Sequence, residues 1–204
     1  GHQGKAILRI EGEHVWLEGA ELLTPTVAGV APVIVEMAAL KGPSMEWAIE
    51  KCVELSVREM FPLLTEFTVF RVTDKGAEYY QERWQRIADQ ALKQCGRLER
   101  LLIHPPLKLT EHLMAPCSTA RFWLDEKSKE EATPELLDAL VTAQARESRL
   151  LVGPEGGWSG SERELLQNSG VIRVSVGPLV LRAETAVIAA VALASAFSRS
   201  SAKT

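Results

Sequence analysis

The stretch Leu151-Val152-Gly153-Pro154-Glu155-Gly156-Gly157-Trp158-Ser159 decides how this chain is read. Leu151 and Val152 have the character of the end of a buried strand. Three glycines and a proline then fall within five positions, and Ser159 followed by Glu162 has the spacing of a capping box that starts a helix. A strand that breaks into a glycine turn and then a capped helix brings bare backbone N–H groups up to a ligand. The spacing matches neither the G-x-x-x-x-G-K-[ST] loop of nucleoside triphosphate sites nor the G-x-G-x-x-G fingerprint of dinucleotide sites.

The pattern recurs downstream. Ile172 to Val176 alternates as a strand, Gly177-Pro178 breaks it, and Leu179-Val180-Leu181 is apolar. Arg182-Ala183-Glu184-Thr185-Ala186 then opens an Ala-rich helix predicted to run to Ser198. Upstream, strands are expected at Val33 to Val35, Glu59 to Leu64, Leu101 to His104, Ala120 to Leu124 and Arg149 to Val152. Helices are expected from a Ser44 cap to about Ser56, from Glu78 to Gln94, and from Pro134 to Arg146 with the proline in the first turn. This alternation predicts an α/β fold with a parallel sheet covered on both faces. Residues 4–30 carry short β-like runs, Ala6 to Ile10 and Val15 to Leu17, too short to close a barrel.

Composition bounds the function. The chain has 204 residues, 46% hydrophobic and 25% charged, as in ordinary globular proteins. No run of 18 apolar residues and no signal peptide is visible, so no membrane span is expected. Cys52, Cys95 and Cys117 are far apart and form no C-x-x-C, which argues for a reducing, cytoplasmic compartment. His2, His14, His104 and His112 lack metal-ligand spacing, so no metal is expected. Gly-Trp-Ser-Gly at 157–160 lacks the G-x-S-x-G spacing of a hydrolase elbow. The net charge of −4 argues against a simple nucleic-acid binder. The stretch from Arg83 to Arg100 is locally positive, with Arg83, Arg86, Lys93, Arg97 and Arg100 against Asp89 and Glu99; a solvated helix face explains it equally well.

G-P-E-G-G-W-S at 153–159 together with V-G-P-L-V-L-R-A-E-T-A at 176–186 resembles the RsmE-type 16S ribosomal RNA methyltransferases of the SPOUT superfamily. Lys51 to Val57, Arg83-Trp84 with Ile87 and Ala88, and Gln94 to Arg97 extend the resemblance, which covers roughly residues 33–197. It implies a SPOUT domain with a C-terminal trefoil knot over 31–204 and, at 1–30, the truncated end of a PUA-like β domain. It implies S-adenosylmethionine as cofactor, N3 of a uridine in 16S RNA of the small ribosomal subunit as acceptor, and a homodimer.

Carried over by position, the cofactor would meet Leu124, Gly153, Pro154, Glu155, Gly156, Gly157, Val176, Gly177, Leu179, Leu181 and Thr185. The first loop of the site would follow Leu124-Asp125-Glu126. A side chain at Gly156 is expected to clash with the cofactor. Arg182 is the first catalytic candidate, as a cation beside the imide anion that N3 becomes; it stays protonated and so is no base. Glu155 and Glu184 are candidate bases, although Glu184 also suits a helix's first turn without catalysis. Arg83, Arg97 and Arg182 are candidate RNA contacts. Three positions depart from the family pattern: Phe67 follows Thr65-Glu66 where Arg is common, Ser56 stands where Gly is common, and Trp158 stands where Phe is common. Two other readings fit the same residues. One is a knotted methyltransferase acting on another RNA such as transfer RNA. The other is a non-catalytic RNA-binding assembly factor that keeps the fold.

Overall fold

The computed structural model describes residues 3–23, 33–125 and 133–201. Its first two strands, β1 (Gln3–Glu11) and β2 (His14–Leu23), form an antiparallel hairpin that is a sheet of its own. The register pairs Leu8 with Leu17 and Ile10 with Val15, so these four share one face of the hairpin. All four are exposed.

The rest of the chain alternates strand and helix. β3 (Val33–Ala38) is buried throughout and leads into α1 (Gly42–Glu54); β4 (Glu59–Leu64) leads into α2 (Gly76–Cys95). The short β5 (Leu102–Ile103) and β6 (Leu107–Lys108) both pair with β4, and α3 (Leu109–Met114) follows. Then come β7 (Ala120–Leu124), α4 (Leu136–Thr142), β8 (Ser148–Val152), α5 (Gly160–Asn168), β9 (Ile172–Val174) and α6 (Ala183–Ser201). The strands are parallel in the order β5-β4-β3-β8-β7-β9, with β6 off that path. The expected parallel α/β sheet is therefore present. No helix among the described residues is long and apolar enough to cross a membrane.

Several boundaries differ from the expected ones. α1 begins at Gly42 with Lys41 as its cap, because Pro43 fits the first turn, where its missing N–H costs nothing; Ser44 lies inside the helix and caps nothing. The predicted helix over 134–146 is confined to Leu136–Thr142, and Gln144 takes a left-handed φ of 46° that ends it. β9 stops at Val174, since Ser175 turns to hydrogen-bond with Pro134 and Leu136. Strand β6 and helix α3 were not anticipated.

The two sheet faces differ in chemistry. Val33, Val35, Met37, Met60, Phe122, Leu124, Leu150, Val152 and Val174 form a continuous apolar layer under the helices, including the buried face of α6. Strand parity sends their neighbours to the other side. There Leu63, Trp123 and Leu151 pack with Trp158 and Leu166. Glu36 is wholly buried, with one carboxylate oxygen 2.9 Å from His112 Nε2, 3.3 Å from Arg121 Nε and 2.6 Å from Arg149 Nη1.

Cys52 sits in the apolar layer, and burial pushes its thiol up to about 12, with Arg97 opposing. Cys95 and Cys117 are exposed. Since the thiolate is the reactive form, a disulfide-exchange reagent at pH 8 should titrate Cys95 and Cys117 in the folded chain, and Cys52 only after denaturation. Three fast equivalents in the native state would contradict this packing.

Candidate active site

Parallel strands end on one side of the sheet, and ligand crevices in such folds open outside those carboxyl ends. Here the ends of three adjacent strands, β8, β7 and β9, border a cleft of about 350 Å³. Leu124 and Asp125 close the end of β7, residues 153–157 follow β8, and residues 175–182 follow β9. Ala183 and Ala186 of α6 form the floor.

The loop after β8 is built by short-range bonds. The Gly157 N–H donates to Pro154 O at 2.9 Å, closing a turn in which Gly157 has φ 71°, a left-handed value that favours glycine. Both halves of the capping box are formed: Ser159 Oγ accepts from the Glu162 N–H, and a Glu162 carboxylate oxygen accepts from the Ser159 N–H at 3.0 Å. The other Glu162 oxygen accepts the Glu66 N–H at 2.8 Å, so one carboxylate joins the helix start to the turn after β4.

Trp158 is buried, edge-on to Trp123. Its indole Nε1–H donates to Leu124 O at 2.8 Å, which ties this loop to the end of β7. Trp158→Phe keeps an aromatic ring but leaves that buried carbonyl without its donor. The expected loss is about 1–3 kcal/mol of unfolding free energy, read by denaturant titration. A variant as stable as the parent would show that the indole bond does not hold the loops together.

Gly156 has a reason within the protein itself to be small. A Cβ placed there would lie 2.9 Å from Phe67 Cβ, and one at Gly153 would lie 3.0 Å from the Trp158 ring. Gly156 is held to glycine by the protein's own packing, whatever occupies the cleft, and a side chain at Gly153 would need the Trp158 ring to give way by a few tenths of an ångström. Gly156→Val would therefore disturb the turn at Phe67 and cannot isolate ligand binding.

The cleft gathers Leu124, Gly153, Pro154, Glu155, Gly156, Gly157, Val176, Gly177, Leu179, Leu181 and Arg182. Glu155 and Arg182 are both exposed on its lining, and Arg182 makes no ion pair or side-chain hydrogen bond among the described residues. Leu179 and Val180 stand 73% and 69% exposed at the mouth.

Three expected site residues lie elsewhere. Thr185 is exposed and outside the lining, because α6 buries Ala183, Ala186, Val187, Ala190, Val191 and Ala194, and helical periodicity turns Thr185 away from that stripe. Arg97 donates to Val53 O at 3.3 Å near the end of α1. α1 runs back from the end of β3 to the start of β4, so Arg97 sits at the amino ends of the strands, away from the cleft. Arg83, on α2, is 2.5 Å from Glu46 of α1. Glu126 lies outside the described residues.

Sequence reasoning named Asp125 only in placing the first loop, and missed Arg163 and Arg173. The Asp125 side chain is fully buried and pairs with Arg163 and, at 2.7 Å, with Arg173. These contacts brace the β7 end of the cleft against α5 and β9. The only local signal was an acid directly after an apolar strand. Among the described residues no group of His, Cys, Asp and Glu gathers that would hold a metal ion.

Residues 29–195 match the family model of the RNA methyltransferase domain. Ribosomal RNA small subunit methyltransferase E of Bacillus subtilis is 32% identical over 153 residues, 72% of this chain and 58% of that protein. The protein of the same name from Synechocystis is 33% identical over 164 residues, 79% of this chain and 52% of its own length. This chain thus spans a little over half the length of these relatives. A crystal structure of the Neisseria gonorrhoeae protein of that name, bound to S-adenosyl methionine, superposes with a TM-score of 0.79 at 26% identity, covering 94% of this chain and 77% of that one.

Proposed function

We propose, since this chain belongs to the RNA methyltransferase domain family, that it methylates N3 of a uridine in 16S RNA of the small ribosomal subunit, with S-adenosylmethionine as donor. The observation that carries this reading is the glycine-walled cleft at the ends of β7, β8 and β9, with Arg182 on its lining and unpaired among the described residues. The names of the relatives, and the cofactor in the Neisseria structure, point the same way.

The residues present suit the cofactor. The cleft's volume falls within the roughly 300–1,000 Å³ usual for small-molecule sites. Its walls combine apolar side chains, Leu124, Val152, Leu181 and Ala186, with open backbone at 153–157 and 175–178. Such a wall takes a purine face against carbon and its polar edge against main-chain N–H and C=O groups. When bound, S-adenosylmethionine supplies a methyl group already activated on a sulfonium sulfur. The protein's remaining work is orientation and electrostatics. Arg182 holds a permanent positive charge where the uridine imide becomes an anion. Glu155, among the described residues the one carboxylate exposed on the lining, is the candidate acceptor of the N3 proton.

The same reading takes residues 31–204 as a SPOUT domain with a C-terminal trefoil knot, and 1–30 as the end of a PUA-like β domain. The family match from residue 29 and the separate hairpin sheet support that division. The chain would work in the cytoplasm as a homodimer, without a metal, and sedimentation of the purified chain tests the dimer.

The decisive experiment incubates the chain with radiolabelled S-adenosylmethionine and small ribosomal subunits from cells lacking the modification, then maps the label. Label at N3 of one uridine in 16S RNA is expected. Label in transfer RNA alone would move the substrate assignment. Failure to bind S-adenosylmethionine by calorimetry would overturn the enzymatic reading and favour an RNA-binding assembly factor.

A further inference from the structure

We infer that Phe67 is a stacking platform that holds an unpaired base of the RNA substrate at the mouth of the cleft. The inference rests on the RNA methyltransferase reading above and assigns a positioning residue within it.

Phe67 lies in the turn after β4, at the end of the sheet where the cleft opens. The turn is tightly held. Thr65 Oγ1 and Thr68 Oγ1 are 2.7 Å apart, the Thr65 N–H donates to Thr68 Oγ1 at 3.0 Å, and the Thr68 N–H returns to Thr65 O at 3.2 Å. The Glu66 N–H is fixed to Glu162, and Ser161 Oγ donates to a Glu66 carboxylate oxygen at 3.4 Å. The Arg71 guanidinium donates to Thr68 O and to Phe70 O. Thr65, Thr68 and Phe70 are all buried, whereas Phe67 between them is 45% exposed. A held turn thus presents an aromatic side chain to solvent.

The position of that side chain relative to the cleft is set by Gly156. Phe67 Cβ and Cγ would be 2.9 and 3.5 Å from a Cβ at Gly156, and Gly156 lines the cleft. Phe67 is therefore seated on the outer side of the cofactor loop. Folding leaves much of its ring uncovered, so burial in the core does not explain an aromatic here. Leu179 and Val180 expose further apolar surface at the mouth, beside Arg182. An RNA base that must reach chemistry in a pocket leaves its stack, and unstacked bases are held on aromatic faces. A flat ring beside the cleft supplies that surface.

The test compares Phe67→Ala, Phe67→Leu and Phe67→Trp with the parent chain, measuring methyl transfer to small subunits, binding of S-adenosylmethionine and thermal stability. At about 1–3 kcal/mol per stacked base, Phe67→Ala should raise KM for RNA about 5- to 150-fold. The affinity for S-adenosylmethionine and Tm should stay close to those of the parent. Phe67→Leu, which keeps apolar bulk without a ring, should remain impaired, and Phe67→Trp should restore the parent KM. A parent-like KM in Phe67→Ala or Phe67→Leu would overturn the proposal while leaving the methyltransferase reading intact. A loss of cofactor affinity or of Tm that matches the loss of activity would make Phe67 a packing residue for the Gly156 loop. A parent chain that methylates no RNA would remove the broader reading and this one with it.

Discussion

Arg182→Ala is expected to lower kcat for methyl transfer about 10²- to 10³-fold, the usual consequence of removing one group that stabilises charge developing in the transition state. Binding of S-adenosylmethionine should change little, because the apolar walls and glycine backbone that form the rest of the cleft remain. Stability should also hold, since Arg182 is exposed and its side chain makes no bond among the described residues. Arg182→Lys should recover only part of the rate: lysine restores the charge but not the planar pair of donors that suits an imide oxygen or a phosphate. Single-turnover kinetics at saturating RNA makes the comparison. A raised KM for RNA with an unchanged kcat would show uniform binding instead, and would assign Arg182 to a phosphate rather than to the reacting base.

Glu36→Gln is expected to have the largest effect on stability. Glu36 carries the negative charge opposite Arg121 and Arg149, which are mostly buried, and its partner His112 is buried as well. Removing one partner of a buried ion pair costs about 3–5 kcal/mol, and the partial solvent access of Arg121 and Arg149 favours the lower end. At about 2–4 °C per kcal/mol for a chain of this size, the melting temperature should fall by roughly 6–12 °C. Burial by itself raises the Glu36 carboxyl, but the contact with His112, the charge of Arg121 and the hydrogen bond from Arg149 outweigh it and hold the group below its ordinary 4.5. A group lowered by folding stabilises the native state fully above its unfolded value and loses that contribution as pH falls through the folded one. The parent's acid limb, below about pH 4.5, should therefore be steeper than that of Glu36→Gln. Parallel acid limbs, or an unchanged melting temperature, would show that the arginines are satisfied without Glu36.

The two predictions differ in how far they were legible in the chain. Arg182 stood out in the sequence, since it follows the second glycine loop and opens the Ala-rich helix. The same local reading found β7 to the residue, and it found the Ser159–Glu162 capping box because both halves lie within one helical turn. It did not see that Thr185, which adjoins the motif in sequence, is turned outward by the helix. Nor did it see the bond from Arg97 to Val53 O. Glu36 drew no attention at all, since in sequence it reads only as an interruption of an apolar strand.

By itself the sequence determined the alternation of strands and helices, the two glycine loops, the helix cap at Ser159 and the apolar stripe of α6. These depend on residues a few positions apart, where backbone sterics and periodicity act. Only the tertiary structure decided that the ends of β7, β8 and β9 share one cleft, that Gly156 is small because of Phe67, and that Glu36 meets Arg149, 113 positions away. Such pairings depend on strand order and on the parity of each strand in the sheet. A one-residue change of register would send Glu36 into the apolar layer, and no local pattern in the chain records which residues of distant strands will face it.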